Sequence, residues 1–540
     1  MDADKLSYVE DASLSHHKQD SISISSETGG VQPNAPLKRQ LKSRHIIMIS
    51  VGGVIGQGLF LSSGGALAAA GPAGLLIAYF IVGFIVFWVT FALGEYDVDL
   101  CLCEMAAYMP VSGSFTIYCR RFVDDSFGAM VGYNYVATWC LITAAEFVAI
   151  PLVLNYWTTV VPSWAWSLIC LVIVFSINLY GIRGFGEVEY VLSLIKILAV
   201  IVYIIVGIFI SAGVIGGEKY GFKYWNDPGA FTPNKAHILN AIVLASLTMQ
   251  GTEIVGVTAA EADNPAKNIP KAIRNVFWRI VVFYLGSVFI AGMILPYNDP
   301  NLLTSGAKSV SISPFTLVFK KGGLDALAHV INGVILCTIL SCANSGLYVS
   351  SRTLHALALE GLTHKRLAYV NSRGVPLYAL CASAAVSLIS FLTTFIPGNA
   401  LFLCLSTISG VAGFITWGSI SFARYRMRRA FIVQGRSLSD LPYVAPGFPY
   451  FDIFSIFACG VLALLGGWSS FSPPDPIGLV GNYAGLVIAF FGFVITKWWT
   501  KSKLVRLCDI DLDTGRSEHV AQEVEDEKET WWRRFLSYIF

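Results

Sequence analysis

A long apolar segment near the start of the chain, residues 46–70, contains four glycines between Gly52 and Gly58. Glycine inside a helix costs about 1 kcal/mol relative to alanine, so four of them close together favour an opening of the helix. In the hydrocarbon core of a membrane, non-helical backbone is tolerated only where it is buried in protein or lines a cavity. If this segment crosses a membrane, its break indicates a place where the protein binds something.

The composition indicates that the segment does lie in a membrane. Of the 540 residues, 55% are hydrophobic and only 13% are charged, whereas soluble proteins contain about 25% charged residues. The net charge of +2 comes without a long basic stretch, which argues against a nucleic-acid partner. The eleven cysteines form no CxxC pair with His or acidic neighbours, so the sequence predicts neither a disulfide framework nor a metal site.

Apolar runs of about 20 residues are long enough to cross a hydrocarbon core of about 30 Å. We predict an all-α integral membrane protein with twelve such spans, at 46–69, 73–94, 127–150, 163–180, 189–212, 238–260, 276–296, 325–351, 375–396, 400–423, 451–470 and 483–499. With both termini in the cytoplasm, 30 of the 37 Lys and Arg residues lie on the cytoplasmic side and six lie in external loops. This orientation follows the positive-inside rule.

The tails on either side of the predicted permeation domain, 44–500, are expected to be soluble extensions. Residues 1–43 are rich in Ser, Asp and Lys with almost no large apolar residues, a composition typical of disorder. Residues 501–540 form the second cytoplasmic tail. The tails contain four lysines that a ubiquitin-ligase adaptor could use, and nothing in the sequence selects one of them: Lys5, Lys18, Lys501 and Lys503.

A second interruption, Met249–Gly256, occurs in another apolar segment about 200 residues after the first. Broken helices at corresponding places in two halves of a chain are the best sequence indication of a transporter's binding site. The N-terminus of a half-helix offers unpaired N–H groups that suit a carboxylate, and unwound carbonyls suit an ammonium group. The pair of breaks would therefore suit the two charged groups of a free amino acid. Close helix packing by small residues is the alternative explanation of a glycine-rich helix.

Three ionisable residues are predicted inside the hydrocarbon region, where a charge costs about 2.5–3.5 kcal/mol. Lys196 is the candidate for taking up and releasing a coupled proton, or it is a structural ammonium held by carbonyls of the first helix. Glu253 balances charge at the second break or caps the helix there. Glu146 faces the substrate or extends to the external interface. The substrate-binding residues expected are Ile55, Gly56, Gln57, Gly58, Glu146, Gln250, Gly251, Thr252 and Glu253.

These passages together resemble the fungal amino-acid permeases of the amino acid–polyamine–organocation superfamily, over about residues 40–515. The resemblance rests on Gly52–Phe60, Met105–Phe115, Gln250–Glu253, Glu261–Pro265, Asn268–Ala272, Ala343–Ser345 and Arg373–Pro376. It implies two inverted five-helix repeats, spans 1–5 and 6–10, with discontinuous helices 1 and 6 and two further helices, 11 and 12. It also implies symport of amino acids with protons across the fungal plasma membrane, where membrane lipid contacts the protein.

A narrower set of passages is similar to the permeases for basic amino acids, lysine and arginine. These passages are Asn155–Trp157 with Val161–Pro162, Gly221–Trp225 with Pro228–Ala230, Leu295–Asp299 and Asp509–Asp513. That branch also carries a glutamate in span 3, which Glu146 matches, and an acid near the side-chain end of the pocket would pair with a guanidinium or ammonium group. Because relatives with other substrates share this glutamate, a broad-range or neutral amino-acid permease is the alternative.

The chain departs from the family pattern at two places. Gln57 stands where most relatives carry a small hydroxyl residue, so it is expected to narrow the pocket while still offering a donor to the carboxylate. The family-like run Gly-Glu-Met-Ala-Ala-Tyr is split by about nine residues, taken as 96–104, between Gly94-Glu95 and Met105. These residues are either a real insertion near the cytoplasmic gate or an artefact of the gene model.

The expected function is therefore import of amino acids, with cationic ones favoured, by alternating access and proton symport, and no cofactor is expected. A non-transporting amino-acid sensor of the same fold is a further alternative, but such sensors usually carry a long cytoplasmic extension. The N-terminal tail here has only about forty residues. An enzyme is not expected, because the chain contains no nucleophile–base motif, phosphate-binding loop or metal-ligand spacing.

Overall fold

The computed structural model describes residues 48, 55–90, 104–105, 108–109, 113–180, 182–254, 279–302, 313–437, 441, 447–471 and 474–514. The predicted N-terminal tail, Gly52, Gly53 and residues 255–256 of the second break lie outside these ranges. The same is true of residues 95–103 in the possible insertion and of the tail beyond residue 514.

Eight helices of the described chain are long and apolar enough to cross a membrane. They are Gly58–Val89, Asp125–Leu154, Phe185–Ser211, Asp325–Leu359, Leu377–Thr394, Gly398–Val433, Tyr450–Ser470 and Pro476–Thr500. Three shorter apolar helices accompany them: Ser163–Leu179, His237–Met249 and Val282–Ile294. We number these segments as spans 1 to 12 in chain order, with Gly58–Val89 providing both span 1 and span 2. Each predicted span has a helical counterpart, and the predicted all-α membrane fold is confirmed.

Spans 1 and 2 meet at a sharp corner. Gly71 has φ 77° and ψ 173°, a conformation that favours glycine. A Cβ at this position would also come within 2.8 Å of the Ala230 carbonyl oxygen. Gly58 of span 1 and Tyr79 of span 2 both contact Thr248 of span 6. The two spans therefore run side by side in opposite directions, and both pack on span 6.

Span 3 lies in the centre of the bundle and span 12 lies at its edge. The most apolar stretch of span 3 is 78% buried, whereas that of span 12 is 17% buried. Apolar side chains of span 12 can remain exposed because lipid tails are as apolar as they are. Spans 1 and 2 together (72% buried) and span 10 (72% buried) resemble span 3 in this respect. The central spans are thus the ones that can build a site away from lipid.

The segment after span 12, residues 502–514, packs against one end of the bundle and is called the C-terminal strap. Of the Lys and Arg residues that the structure describes, most lie at this end, which is called the inner end. The N–H of Val505 donates to the carbonyl of Val123 at 2.9 Å. The Tyr108 hydroxyl donates to the carbonyl of Leu512 at 2.9 Å, and Leu512 is fully buried. The beginning of the predicted C-terminal tail is therefore part of the packed structure, which its composition did not indicate.

Four buried charged side chains at the inner end form an ion cluster: Glu104, Arg424, Arg428 and Asp452. Arg424 Nε lies 3.2 Å from Glu104 Oε2, and Arg424 Nη1 lies 2.8 Å from Asp452 Oδ1. Arg428 Nε lies 2.5 Å from Glu104 Oε1. Buried charges of this kind are tolerated only when they are paired. The cluster joins the segment before the helix Phe115–Phe122 to the inner ends of spans 10 and 11.

The ion cluster bears on the possible insertion. Glu104 is fully buried in the cluster, and Met105, which follows it, is buried too. This placement favours Glu104 as the glutamate of the split family motif. The additional residues are then 95–103, one position earlier than the predicted 96–104, and Glu104 itself belongs to the packed bundle rather than to the insertion.

Candidate functional site

The first break lies where span 1 begins. Ile55 and Gly56 are not helical, and the helix opens with a π-helical turn at Gly58–Ser62. A Cβ on Gly56 would come within 2.5 Å of the Cys342 sulfur and within 2.8 Å of Oε1 of Glu146. Glycine is needed here because side chains of spans 3 and 8 approach the backbone closely.

The second break follows span 6. Gln250 has an extended ψ of 151°, and Gly251 has φ 90°. The Glu253 carboxylate bends back and accepts the Gly251 N–H at 3.1 Å and the Thr252 hydroxyl at 3.2 Å. Trp417 of span 10 donates its indole N–H to the same carboxylate at 3.3 Å. Glu253 thus satisfies donors of the break itself, which is consistent with the capping role that the sequence suggested.

The two breaks lie side by side and enclose a small cavity. A Cβ on Gly58 would come within 2.8 Å of the Thr248 Cα, so the backbones of spans 1 and 6 touch here. The cavity is lined by Gly56, Gln57, Gly58, Trp139, Ile142, Glu146, Leu247, Thr248, Gln250 and Cys342. Its volume is about 20 Å³, which is space for about one water molecule. An amino acid therefore fits only after the surrounding groups move apart.

Five of the predicted binding residues line this cavity: Gly56, Gln57, Gly58, Glu146 and Gln250. The other four are buried but do not line it: Ile55, Gly251, Thr252 and Glu253. The sequence analysis missed Trp139 and Ile142 of span 3. Both lie on the helix face of Glu146, seven and four positions before it, so the helical repeat counted back from Glu146 would have found them. It also missed three lining residues of spans 6 and 8: Leu247, Thr248 and Cys342.

Glu146 of span 3 lies at the start of the half-helix of span 1. Its side chain is 1% exposed, and its Oε1 accepts the backbone N–H of Gln57 at 3.4 Å. The alternative in which Glu146 extends to the external interface is therefore wrong. This carboxyl group occupies the position that was expected for the carboxylate of the substrate, because the oxygens of both can accept the unpaired N–H groups of a helix N-terminus.

The two glutamines of the site are held by neighbouring groups. The Gln57 side chain is buried, and its Oε1 accepts the Ser62 hydroxyl at 3.2 Å. Gln250 donates its side-chain amide to the carbonyl of Ser409 in span 10. Gln250 thus ties the second break to span 10, while Gln57 fills space beside the first break as its size predicted.

Lys196 of span 5 forms a buried ion pair that the sequence analysis did not predict. Its Nζ lies 3.6 Å from Oε1 of Glu189, and the two side chains are 1% and 0% exposed. Ser341 of span 8 donates its hydroxyl to Glu189. Glu189 is a further ionisable residue inside the bundle, beyond the three that were predicted. It was missed because it lies at the predicted inner end of span 5, where a charged side chain can extend to the interface.

Within the described residues, no group of three or more His, Cys, Asp or Glu side chains is arranged to hold a metal ion. The polar groups of the cavity are backbone N–H groups, hydroxyls, amides and carboxylates. Such groups suit a small zwitterion, because they can pair with both a carboxylate and an ammonium group.

The sequence of this chain is similar to those of known amino-acid permeases. The model of the amino acid permease family matches residues 45–507. The lysine-specific permease LysP of Escherichia coli (strain K12) is 40% identical over 468 residues, which are 85% of this chain and 94% of that protein. General amino-acid permease GAP2 of Candida albicans is 38% identical over 509 residues, 92% of this chain and 85% of that protein. The basic amino-acid permease of Saccharomyces cerevisiae is 36% identical over 517 residues, 93% of this chain and 88% of that protein.

Proposed function

This chain belongs to the amino acid permease family, and on that premise we propose that it imports the cationic amino acids lysine and arginine together with protons. In this proposal the protein lies in the plasma membrane with both termini in the cytoplasm. Membership of a permease family makes it a transporter rather than an enzyme. The observation that supports a cationic substrate is the net charge of the buried side chains around the two breaks.

Among the described residues, three acidic side chains and one basic side chain are buried around the two breaks and span 5: Glu146, Glu189, Glu253 and Lys196, each no more than 2% exposed. Glu189 and Lys196 form an ion pair that is neutral as a whole. With Glu146 and Glu253 ionised, the centre has a net charge of −2. One lysine or arginine, with its net charge of +1, offsets one of these charges. A neutral amino acid offsets neither and leaves both buried charges without a cationic partner, which is costly.

The first break supports recognition of the substrate carboxylate. The Gln57 N–H, which now donates to Glu146, is the kind of group that binds a carboxylate at a helix N-terminus. Substrate and Glu146 therefore compete for the same donor, and Glu146 turns away when the substrate binds. Its carboxylate is then available to pair with the cationic group of the substrate.

Lys196 is the proposed site of proton uptake and release. Its position beside the central cavity, among buried groups, gives it access to a proton only when one side of the carrier is open. Spans 1 and 6 rock with spans 2 and 7 to alternate that access, as in carriers built on broken helices. A cationic substrate moving with one proton gains about 2.3 kcal/mol per charge per 100 mV and about 1.36 kcal/mol per unit of pH gradient.

Uptake measurements test this proposal. Yeast cells that lack their own basic amino-acid permeases would express the full chain, and uptake of labelled arginine and leucine would be measured at acidic external pH with and without a protonophore. We expect arginine uptake that the protonophore abolishes and that excess lysine blocks, whereas excess leucine does not. Lys196→Ala is expected to lose accumulation when the two proteins are compared at equal surface amounts.

Two other functions are outcomes of the same experiment. Comparable leucine uptake would assign the chain a broad or neutral range, a second candidate that the similarity to a general permease favours. Absence of transport for every amino acid, despite surface expression, would favour a sensor. Accumulation that the protonophore does not reduce would contradict proton coupling. The substrate range could still be measured in that case.

Regulation at the tails is a further part of the proposal. Lys501 and Lys503 are exposed where span 12 passes into the C-terminal strap, so a ubiquitin ligase with its adaptor could reach them, while Lys5 and Lys18 lie outside the described residues. Loss of substrate-induced internalisation in a Lys501→Arg, Lys503→Arg double variant, measured by surface labelling, would support this part.

A further inference from the structure

Glu189 is a buried carboxylate to which the transport cycle described above assigns no step. We infer that Glu189 is the inner proton acceptor of the carrier: it receives the proton from Lys196 and releases it toward the inner end. The inference rests on the proposed proton symport, and it adds the route by which the proton leaves.

The two groups are close enough for a proton to pass after a small movement. The distance of 3.6 Å between Lys196 Nζ and Glu189 Oε1 is about 0.7 Å longer than a usual N–H···O separation of about 2.9 Å. Both residues belong to span 5 and are seven positions apart, which is about two helical turns. Because helical side chains lean toward the N-terminus, Lys196 extends back along its own helix to Glu189.

Span 8 connects this pair to the central cavity. Ser341 donates its hydroxyl to Glu189, while Cys342, the next residue, lines the cavity beside Glu146. Two consecutive residues of span 8 therefore contact the two carboxylates, and Lys196 is within electrostatic range of both. A proton that reaches the cavity thus meets a series of ionisable groups that leads away from the substrate.

The series leads toward the inner end. Span 3 begins at the inner end, beside the C-terminal strap, and two further crossings bring the start of span 5 to that end again. Glu189 is therefore about two turns nearer the inner end than Lys196. Its other neighbours are polar: Asn344 lies beside it, with a buried amide nitrogen that has no hydrogen-bond partner among the described residues, and Asn178 donates to Asn344 Oδ1 at 2.9 Å. Among the described residues, the titratable groups that face Glu189 are Lys196 and Cys342.

A structural role alone explains this pair poorly. Removing two charges from water usually costs more than their attraction returns, so apolar side chains at both positions would stabilise the packing of span 5 at least as well. Ionisable residues inside membrane-spanning segments that face the bundle interior mark ion and proton pathways. The hydroxyl of Ser341, which donates to Glu189, can also accept from the protonated carboxyl group, so this partner suits Glu189 both with and without its proton.

The proposed step is balanced in protons and charge. The Lys196 ammonium transfers one proton to the ionised Glu189, so one N–H bond breaks, one O–H bond forms, and both groups become neutral. When the inner side opens, Glu189 gives the proton to water and is ionised again. Lys196 takes up the next proton after the carrier has opened to the outer side.

Reconstituted full-length protein allows the test, with Glu189→Gln as the variant and Glu218→Gln, at an exposed glutamate after span 5, as the control. Labelled lysine is the probe, and each protein is assayed for exchange against internal lysine, for accumulation driven by a pH gradient, and for lysine-induced proton influx. We expect Glu189→Gln to keep exchange, to lose accumulation, and to reduce proton influx about 100-fold, the range of a lost proton-transfer group. Glu218→Gln should match the wild type in all three assays.

The outcomes separate this inference from the function on which it rests. Wild-type protein that accumulates lysine without proton influx would contradict the proposed symport and, with it, the inference. A coupled wild type together with a fully coupled Glu189→Gln variant would overturn only the role of Glu189. Loss of exchange in Glu189→Gln would indicate a structural role and would also overturn it. Glu189→Asp, which keeps the carboxylate, is expected to regain part of the proton influx.

Discussion

The backbone N–H of Gln57 donates to the carboxylate of Glu146 at 3.4 Å, across 89 positions of sequence. This contact joins span 1 to span 3 at the cavity between the two broken helices. A carboxyl group of the protein thereby satisfies a helix N-terminus that a substrate carboxylate would otherwise satisfy. Opening of the site is consequently linked to the position and charge of Glu146.

Replacing Glu146 by glutamine is expected to weaken lysine transport selectively. A hydrogen bond to a charged group contributes about 1.5–3 kcal/mol, so lysine uptake should fall about tenfold or more. The ratio of lysine to leucine uptake at equal surface amounts would measure this effect. Glu146→Asp, which keeps the charge, should retain part of the preference, and an unchanged ratio in Glu146→Gln would contradict the role assigned to Glu146.

Gly56→Ala is expected to impair transport because the added Cβ would lie within 2.5 Å of the Cys342 sulfur. Overpacking of this kind costs about 1–3 kcal/mol. The added Cβ would lie at the first break, where the backbone approaches spans 3 and 8. Gly333→Ala in span 8 is the matched control, since no atom lies within 4 Å of the position of its Cβ. Initial rates of lysine uptake would be compared, and equal rates in the two variants would show that the close approach at Gly56 is unimportant.

Glu104→Ala is expected to destabilise the protein strongly. The side chain is buried between Arg424 and Arg428, and removing one partner of a buried ion pair costs about 3–5 kcal/mol. Thermal unfolding of the detergent-solubilised protein would show a lower midpoint. Glu218→Ala, which removes an exposed partner of Lys223, serves as the control and should leave the midpoint unchanged. A similar midpoint for both variants would contradict the importance of the ion cluster.

Deletion of residues 95–103 is expected to preserve folding and transport. The deletion joins Gly94 to Glu104, and Glu104 and Met105 already make the buried contacts of the split motif. Surface amount and lysine uptake of the shortened chain would be compared with those of the full chain. Loss of both in the shortened chain would show that the additional residues are an integral part of this protein.

The C-terminal strap is expected to contribute to stability through its apolar residues rather than its charges. Leu512 is fully buried, and Leu→Ala changes at such positions cost about 2–5 kcal/mol. Asp513→Asn breaks a pair with Arg436 whose aspartate is 64% exposed, and exposed pairs contribute at most about 1 kcal/mol. The midpoint of thermal unfolding should therefore be much lower for Leu512→Ala than for Asp513→Asn. The reverse order would show that the strap is held by its salt bridge.

Features that depend on the local sequence were predicted correctly. The twelve spans follow from runs of apolar residues, and the breaks at Gly56 and Gly251 follow from glycines within such runs, because hydropathy and helix propensity are properties of neighbouring residues. Glu189 was missed for the same reason. A charged residue at the end of an apolar run is ordinary, and only the packing of span 8 against span 5 makes it buried.

The sequence by itself therefore determined the class of protein, the number of spans and the two places where the helices are broken. The tertiary structure decided which side chains meet: Glu146 with Gln57, Lys196 with Glu189, and Glu104 with Arg424. Each of these pairs depends on how helices far apart in the chain or on neighbouring turns pack together. The energy of a buried charge depends on its partners and not on its position in the chain, so these pairings became visible only when the helices were assembled.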